Sequence, residues 1–174
     1  MNERIPLLYD MVLRPEWIDF ALEQWIKNPD EEKHRTCLRE YLAGRVKGQE
    51  ALIKTASQLQ RNVGPRSPIA QERLQELYRD MTTLAPEQRS ATRLAILEES
   101  TPFFADSVSA LRKLTLVGVN EVPMSQLYER VSSRYGDRIS VRRRLQYVLQ
   151  TLAHLGLVER RGRSWRMRVQ EDER

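Results

Sequence analysis

The 174-residue sequence predicts a mainly α fold, in which an N-terminal helical bundle over residues 1–100 is followed by a smaller C-terminal region over 101–169 that ends in a two- or three-stranded β-sheet. Three observations lead to this. Through most of the chain, apolar residues recur at three- and four-residue intervals, the spacing that puts them on one buried helix face. Cap residues and first-turn prolines punctuate the periodic stretches at helix-length intervals. Beyond Gly156 the apolar period drops from helical to alternating, which belongs to strands.

Pro15 suits a first helical turn, where its missing N–H would have had no partner anyway. Trp17, Ile18, Ala21, Leu22, Trp25 and Ile26 follow with helical spacing until Asn28-Pro29 stops them. The two tryptophans read as core. Asp30 can cap the next helix, with Glu31 and Glu32 complementing its dipole, and Leu38, Tyr41, Leu42, Leu52, Ala56 and Leu59 supply the apolar face. Gly44 and Gly48 weaken the middle of this long element and predict a bend or break there. "GPRSP", Gly64 to Pro68, is the clearest break in the N-terminal half. After it, Ser67 is expected to cap a helix carrying Pro68, Ile69, Leu74, Leu77, Tyr78 and Met81, and a further helix begins near Pro86 and runs to Glu99.

Thr101-Pro102 predicts another capped helix, buried through Phe104, Val108, Leu111, Leu114 and Thr115 and ended by Gly118. A short extended piece over Asn120–Met124 leads to Ser125, the expected cap of "QLYERVSSRYG", in which Leu127, Tyr128, Val131 and Tyr135 keep helical spacing. Asp137 to Ile139 makes a turn and Ser140 is expected to cap a third helix with the buried stripe Val141, Leu145, Val148, Leu149, Leu152 and Leu155. At about 100° per residue, Arg143, Tyr147, Gln150 and His154 lie opposite that stripe, Arg142 and Arg144 flank it, and Gln146 borders the outer face. "LVERR" and "SWRMRV" then read as two strands joined through Gly162, with Trp165, Met167 and Val169 on one face and Arg166 and Arg168 on the other. The acidic tail over 170–174 reads as frayed.

Charge is divided unevenly. Residues 1–100 carry 15 Lys and Arg against 16 Asp and Glu, whereas residues 101–169 carry 13 against 5. An excess confined to one region points to a polyanionic partner, and nucleic acid is the first candidate. Of those 13 cations twelve are arginines, whose planar fork matches phosphates and guanine edges better than an ammonium does. Three arginines in the first turn of the third helix, with glutamine and tyrosine one turn on, are what a helix needs to enter a major groove from its N-terminal end. The candidate duplex-contacting set is Arg138, Ser140, Arg142, Arg143, Arg144, Gln146, Tyr147 and Gln150 on and before that helix, and Arg160, Arg161, Arg163 and Arg166 on the hairpin.

Other chemistries find less footing. The single cysteine, Cys37, excludes an intrachain disulfide, and with only two histidines no metal site and no cofactor site is expected. His34 and Cys37, three apart on a helix, read as a solvent-facing imidazole beside a half-buried thiol. Glu98 and Glu99 are consecutive and diverge by about 100°, poor geometry for paired carboxylates. The acids of the basic region, Asp106, Glu121, Glu129, Asp137 and Glu159, are scattered without a recognisable spacing, so no enzymatic activity is expected. No apolar run approaches the roughly 20 residues of a membrane span, and the N-terminus does not read as a secretory signal, so a cytoplasmic protein is expected.

The order helix, short strand, helix, turn, helix, two-stranded basic hairpin resembles the winged helix-turn-helix superfamily over Thr101 to Val169. The resemblance is carried by the two helices joined across "YGDRIS", the "LGLVERRG" exit and the arginine-tipped hairpin in the wing position. It implies a recognition helix starting at Ser140 and a wing tip, Arg160 to Arg163, on the DNA backbone or in the minor groove. The joint "SSRYGDRIS" is long and polar for a tight turn, a departure from many members. In overall architecture alone the chain is also similar to small DNA-binding accessory proteins of bacteriophage-exclusion systems, a similarity that assigns no residue a role. The expected function is therefore double-stranded-DNA binding without catalysis, as a transcriptional regulator or an accessory subunit, with the N-terminal helices serving a homodimer or a larger protein complex. The alternative is a protein adapter whose winged helix docks an acidic partner.

Overall fold

The computed structural model describes residues 4–168; Val169 and the tail 170–174, both assigned above, lie outside them. The described residues form eight α-helices and one three-stranded antiparallel sheet near the C-terminal end. α1 (Pro15–Lys27) carries Pro15 in its first turn. Asp30 caps α2 (Glu31–Leu42) by accepting from the Lys33 N–H at 2.9 Å. The expected break falls between α2 and α3 (Gln49–Val63), where Gly44 and Gly48 hold φ of 81° and 87°, values that L side chains adopt only with strain.

Several expected caps do other work. The Ser67 hydroxyl donates to the Asn62 carbonyl at 2.8 Å and accepts from the Ile69 N–H at 3.2 Å. Tied into that local turn, it caps nothing, and α4 starts only at Gln71 (Gln71–Thr82). After Pro86 the chain makes one 3-10 turn, Pro86–Gln88, and α5 (Ser90–Ser100) begins beyond Arg89. That interruption lets the Arg89 guanidinium donate to the Leu84 carbonyl and to Asp19, each at 3.1 Å. Thr101 precedes α6 (Pro102–Leu116) without capping it, because its hydroxyl accepts from Asn62 Nδ2 at 3.1 Å.

One hydrophobic core runs through both halves of the chain. Leu22, Leu38 and Leu59 are fully buried in it on the N-terminal side, Ile96, Leu97, Phe103 and Phe104 at the α5–α6 junction, and Val148 on the C-terminal side. The segment before α1 joins the two sides. Leu7, Tyr9 and Leu13 are buried; the Tyr9 ring meets Phe104 edge-on at 5.2 Å and its hydroxyl bonds to Thr151 Oγ1 at 2.6 Å, while the Leu13 N–H donates to the same oxygen at 3.1 Å. Asn62 ties a buried polar chain together: its amide donates to Ser100 and Thr101, it accepts from Gln58, and Gln58 in turn accepts from the Asp10 N–H at 2.8 Å. Every buried side-chain nitrogen and oxygen among the described residues has a partner, as a core with this much polar content requires.

His34 is 2 % exposed, not solvent-facing, because α2 turns it under α1, where its Nε2 lies 2.9 Å from the Ala21 carbonyl. Burial pushes the imidazole below its ordinary range despite that carbonyl. An unfolded chain therefore takes up its proton first, below about pH 6.5, and stability present above that value is lost as the pH falls towards the folded pKa. Urea unfolding followed from pH 7.5 to 5.5 is expected to show a falling midpoint that His34→Leu flattens. His154 is shifted in the same direction by partial burial, so His154→Gln serves as the comparison. A midpoint unchanged across that interval in the parent protein would refute the expectation.

Candidate functional site

β1 (Val122–Pro123), β3 (Ser164–Met167) and β2 (Val158–Arg161) lie side by side in that order, all antiparallel, with Val122 opposite Trp165 and Arg160 opposite Trp165 on its other side. β2 and β3 form a hairpin whose tip holds Gly162 at φ 60°. Between β1 and β2 run α7 (Met124–Tyr135) and α8 (Ile139–His154). The Met124 N–H donates to the Arg163 carbonyl at 3.2 Å, so the hairpin satisfies a first-turn donor of α7. Ser125 is consequently the second residue of α7, not its cap. Ser140 likewise lies inside α8, because Arg138 already holds the extended φ of −152° and ψ of 149° of an N-cap position. The joint expected to be long is three residues, Gly136 to Arg138, since "SSRY" completes the last turn of α7.

This topology folds the hairpin back against α8 and opens a cleft of about 400 Å³ between them, lined by Gln146 and Gln150 from α8, Arg160 and Arg163 from the hairpin, and Met124 and Trp165. Four residues of the expected set thus meet around one space, although nine residues of chain separate Gln150 from Arg160. Gln146, Gln150, Arg160 and Arg163 are all exposed. Arg142 and Arg143 are exposed on the same helix, and the Arg142 guanidinium stands 5.2 Å over the Tyr128 ring, which restricts its rotamers without neutralising it. Among the described residues no carboxylate pairs with Arg142, Arg143, Arg160 or Arg163 within 4.0 Å.

The remaining candidates are placed differently. Arg144 is bound to Asp10 at 2.6 Å, and Arg61 of α3 reaches the same carboxylate at 3.1 Å. Burial pushes the Asp10 carboxyl up, but the hydrogen bonds from Arg144 and Arg61 outweigh it and hold the group below its ordinary range. Tyr147, expected to face outward, is half-buried against the core. Arg144, Tyr147 and Thr151 recur at helical spacing as a second, partly covered stripe of α8, on which Asp10 holds Arg144 and Tyr9 and Leu13 hold Thr151. Arg138 donates to the Ile5 carbonyl of that segment at 2.9 Å and to the Tyr135 carbonyl at 3.2 Å. Ser140 is half-buried in the first turn. Arg161 pairs with Glu159 at 2.9 Å and Arg166 lies 3.8 Å from the same carboxylate; the Arg161 hydrogen bond chiefly holds Glu159 below its ordinary pKa.

Residue-by-residue reading missed two cleft residues, Met124 and Trp165, and the charge clamp at Asp10. The sequence places Met124 in the extended piece before α7, whereas it is the first residue of that helix, and it places Trp165 on a strand face without indicating what lies opposite. The apolar residues of "IPLLYDMVL" signalled that this segment is buried, without saying on what.

Among the described residues no three His, Cys, Asp or Glu side chains come together as a metal site, and no helix is long and apolar enough to cross a membrane. Comparison of the chain with family models, with curated proteins and with solved structures finds no match.

Proposed function

We propose that the region from Thr101 onward works as a winged helix-turn-helix that binds double-stranded DNA without chemistry. The observation that carries this reading is the meeting of Gln146 and Gln150 with Arg160 and Arg163 around one cleft, beside Arg142 and Arg143, which pair with no carboxylate among the described residues. The exposed face of α8 enters the major groove. There the two side-chain amides offer the donor and acceptor pair that adenine presents in mirror image, and Arg143 offers the fork that suits guanine or a phosphate. The hairpin tip straddles the adjacent backbone, where Arg160 and Arg163 neutralise phosphates. The N-terminal helices then carry self-association or docking on a larger assembly, as suits either a transcriptional regulator or an accessory subunit of a DNA-processing or phage-defence system.

Counterion release supplies the test. With five exposed cations that pair with no carboxylate among the described residues (Arg142, Arg143, Arg160, Arg163 and Arg168), the logarithm of the affinity for a 20-base-pair duplex should fall against the logarithm of salt with a slope of about −4 to −5. A slope near zero, or no duplex binding at low salt, would overturn the reading. If an acidic protein were retained instead, the same surface would be an adapter's.

A further inference from the structure

We propose a second phosphate-binding surface in the cleft between α6 and α7, through which the protein holds a second duplex segment while α8 and the hairpin hold the first. The proposal rests on the DNA-binding reading above.

The cleft has a volume of about 300 Å³ and is lined by Asp106, Ser109, Lys113, Arg130, Ser133 and Arg134 over a floor that includes Val131 and Tyr135. Asp106 is the one carboxylate in this lining, and it is already taken: Arg134 reaches it at 2.8 Å and the Tyr135 hydroxyl donates to it at 2.6 Å. Lys113 and Arg130 are exposed and, among the described residues, pair with no carboxylate. The lining therefore carries two uncompensated positive charges. Of its two serines, Ser133 donates its hydroxyl to the Arg130 carbonyl at 2.7 Å, which leaves the Ser109 hydroxyl as a donor beside the two cations. Two cations and one hydroxyl in a concave space fit the oxygens of a phosphodiester.

The α8–hairpin cleft shares no lining residue with this one. The helix between them explains the separation. α7 buries Leu127, Val131 and Tyr135, and at 100° per residue Tyr128 and Arg130 fall on opposite flanks of that stripe, about 160° apart. Tyr128 faces the start of α8, where its hydroxyl donates to Asp137, whereas Arg130 faces α6. A straight duplex seated on α8 does not cover Lys113 and Arg130, so a phosphate reaching them comes from another duplex or from the same one bent around α7. Both sources present one negative charge per roughly 1.7 Å of axis.

The experiment uses the full chain. A biotinylated 20-base-pair duplex on beads is saturated with protein and washed, its retained protein is measured, and a fluorescent second duplex is then added. The parent protein is expected to capture the second duplex. Lys113→Glu with Arg130→Glu, both on exposed positions, is expected to retain the first duplex within about twofold and to lose capture of the second by about tenfold or more. A parallel measurement on one 60-base-pair duplex, with end-to-end energy transfer as readout, separates bending from bridging: lost transfer in the variant assigns the bent duplex, unchanged transfer the second one. Capture that survives the double substitution would assign bridging to self-association and overturn the proposal. So would a parent protein that holds the first duplex, captures no second and gives no end-to-end transfer on the 60-base-pair duplex, or displacement of only the second duplex by polyglutamate at equal charge, which would mark an acidic-peptide surface. Failure to retain the first duplex would instead bring down the DNA-binding reading, and this inference with it.

Discussion

Replacing Arg143, Arg160 and Arg163 together by glutamate is expected to lower the affinity for duplex DNA by about a thousandfold or more at 0.1 M salt, with the fold intact. The three were chosen by their surroundings. Each is exposed and none is paired with a carboxylate among the described residues, so removing them orphans no buried partner and the expected change in folding stability is within about 0.5 kcal/mol. Arg144 is the wrong choice for such a variant despite adjoining Arg143. Its loss leaves Asp10 without its closest partner and loosens the segment before α1, so a binding defect there would mix recognition with stability. Alanine at the same three positions should reduce the steepness of the salt dependence by about three. Gln146→Ala with Gln150→Ala should instead leave the salt slope alone and flatten the preference among duplex sequences, because amides read base edges and neutralise no phosphate. Fluorescence anisotropy across a salt series reads all of these. Glutamate substitutions that leave affinity within about threefold of the parent would refute the assigned surface.

Tyr9→Ala is expected to destabilise the protein by about 3–5 kcal/mol. The side chain is fully buried, its ring meets Phe104 edge-on at 5.2 Å, and its hydroxyl bonds to Thr151 at 2.6 Å in the middle of α8. Truncation leaves a cavity where the segment before α1, α8 and α6 meet, and removes one of the two partners of the Thr151 hydroxyl. Tyr9→Phe separates these effects. It keeps the ring, and the Leu13 N–H still donates to Thr151, so the loss should be about 1 kcal/mol. Against a total stability of about 5–15 kcal/mol for a domain, the alanine variant would bring the protein close to its unfolding threshold. Urea titration gives both values. A loss below about 1 kcal/mol for Tyr9→Ala would mean that the segment before α1 contributes little to the fold.

Helices and strands were legible in proportion to how local their causes are. Pro15, Asp30, Gly44, Gly48 and Gly118 act through their own backbone or that of near neighbours, and each punctuates the chain where expected. The apolar stripe from Val141 to Leu155 was legible, because burial of apolar residues at helical spacing leaves a direct imprint on residue type, whereas the buried Thr151 beside it was not. The expected caps at Ser67, Thr101, Ser125 and Ser140 were not realised, since a serine or threonine at a helix start is only an available hydroxyl. At Ser67 and Thr101 the hydroxyl was claimed elsewhere, by a local turn and by Asn62. At Ser125 and Ser140 the helix had already begun one residue earlier, with Pro123 and Arg138 in the cap positions.

The candidate site divides along the same line. Which side chains could meet a polyanion was written in the sequence: the arginine excess beyond residue 100, the outer face of α8, and a glycine-turned hairpin. Which of those arginines stay available was decided only when distant segments came together. Asp10 took Arg144 across 134 residues of chain and the Ile5 carbonyl took Arg138 across 133, whereas the antiparallel pairing of β2 and β3 set Arg160 and Arg163 beside Gln146 and Gln150. Helical periodicity and turn chemistry act over a few residues and so can be read along the chain. The neutralisation of a charge depends on what lies within about 4 Å of it in space, and that distance exists only once the chain has folded.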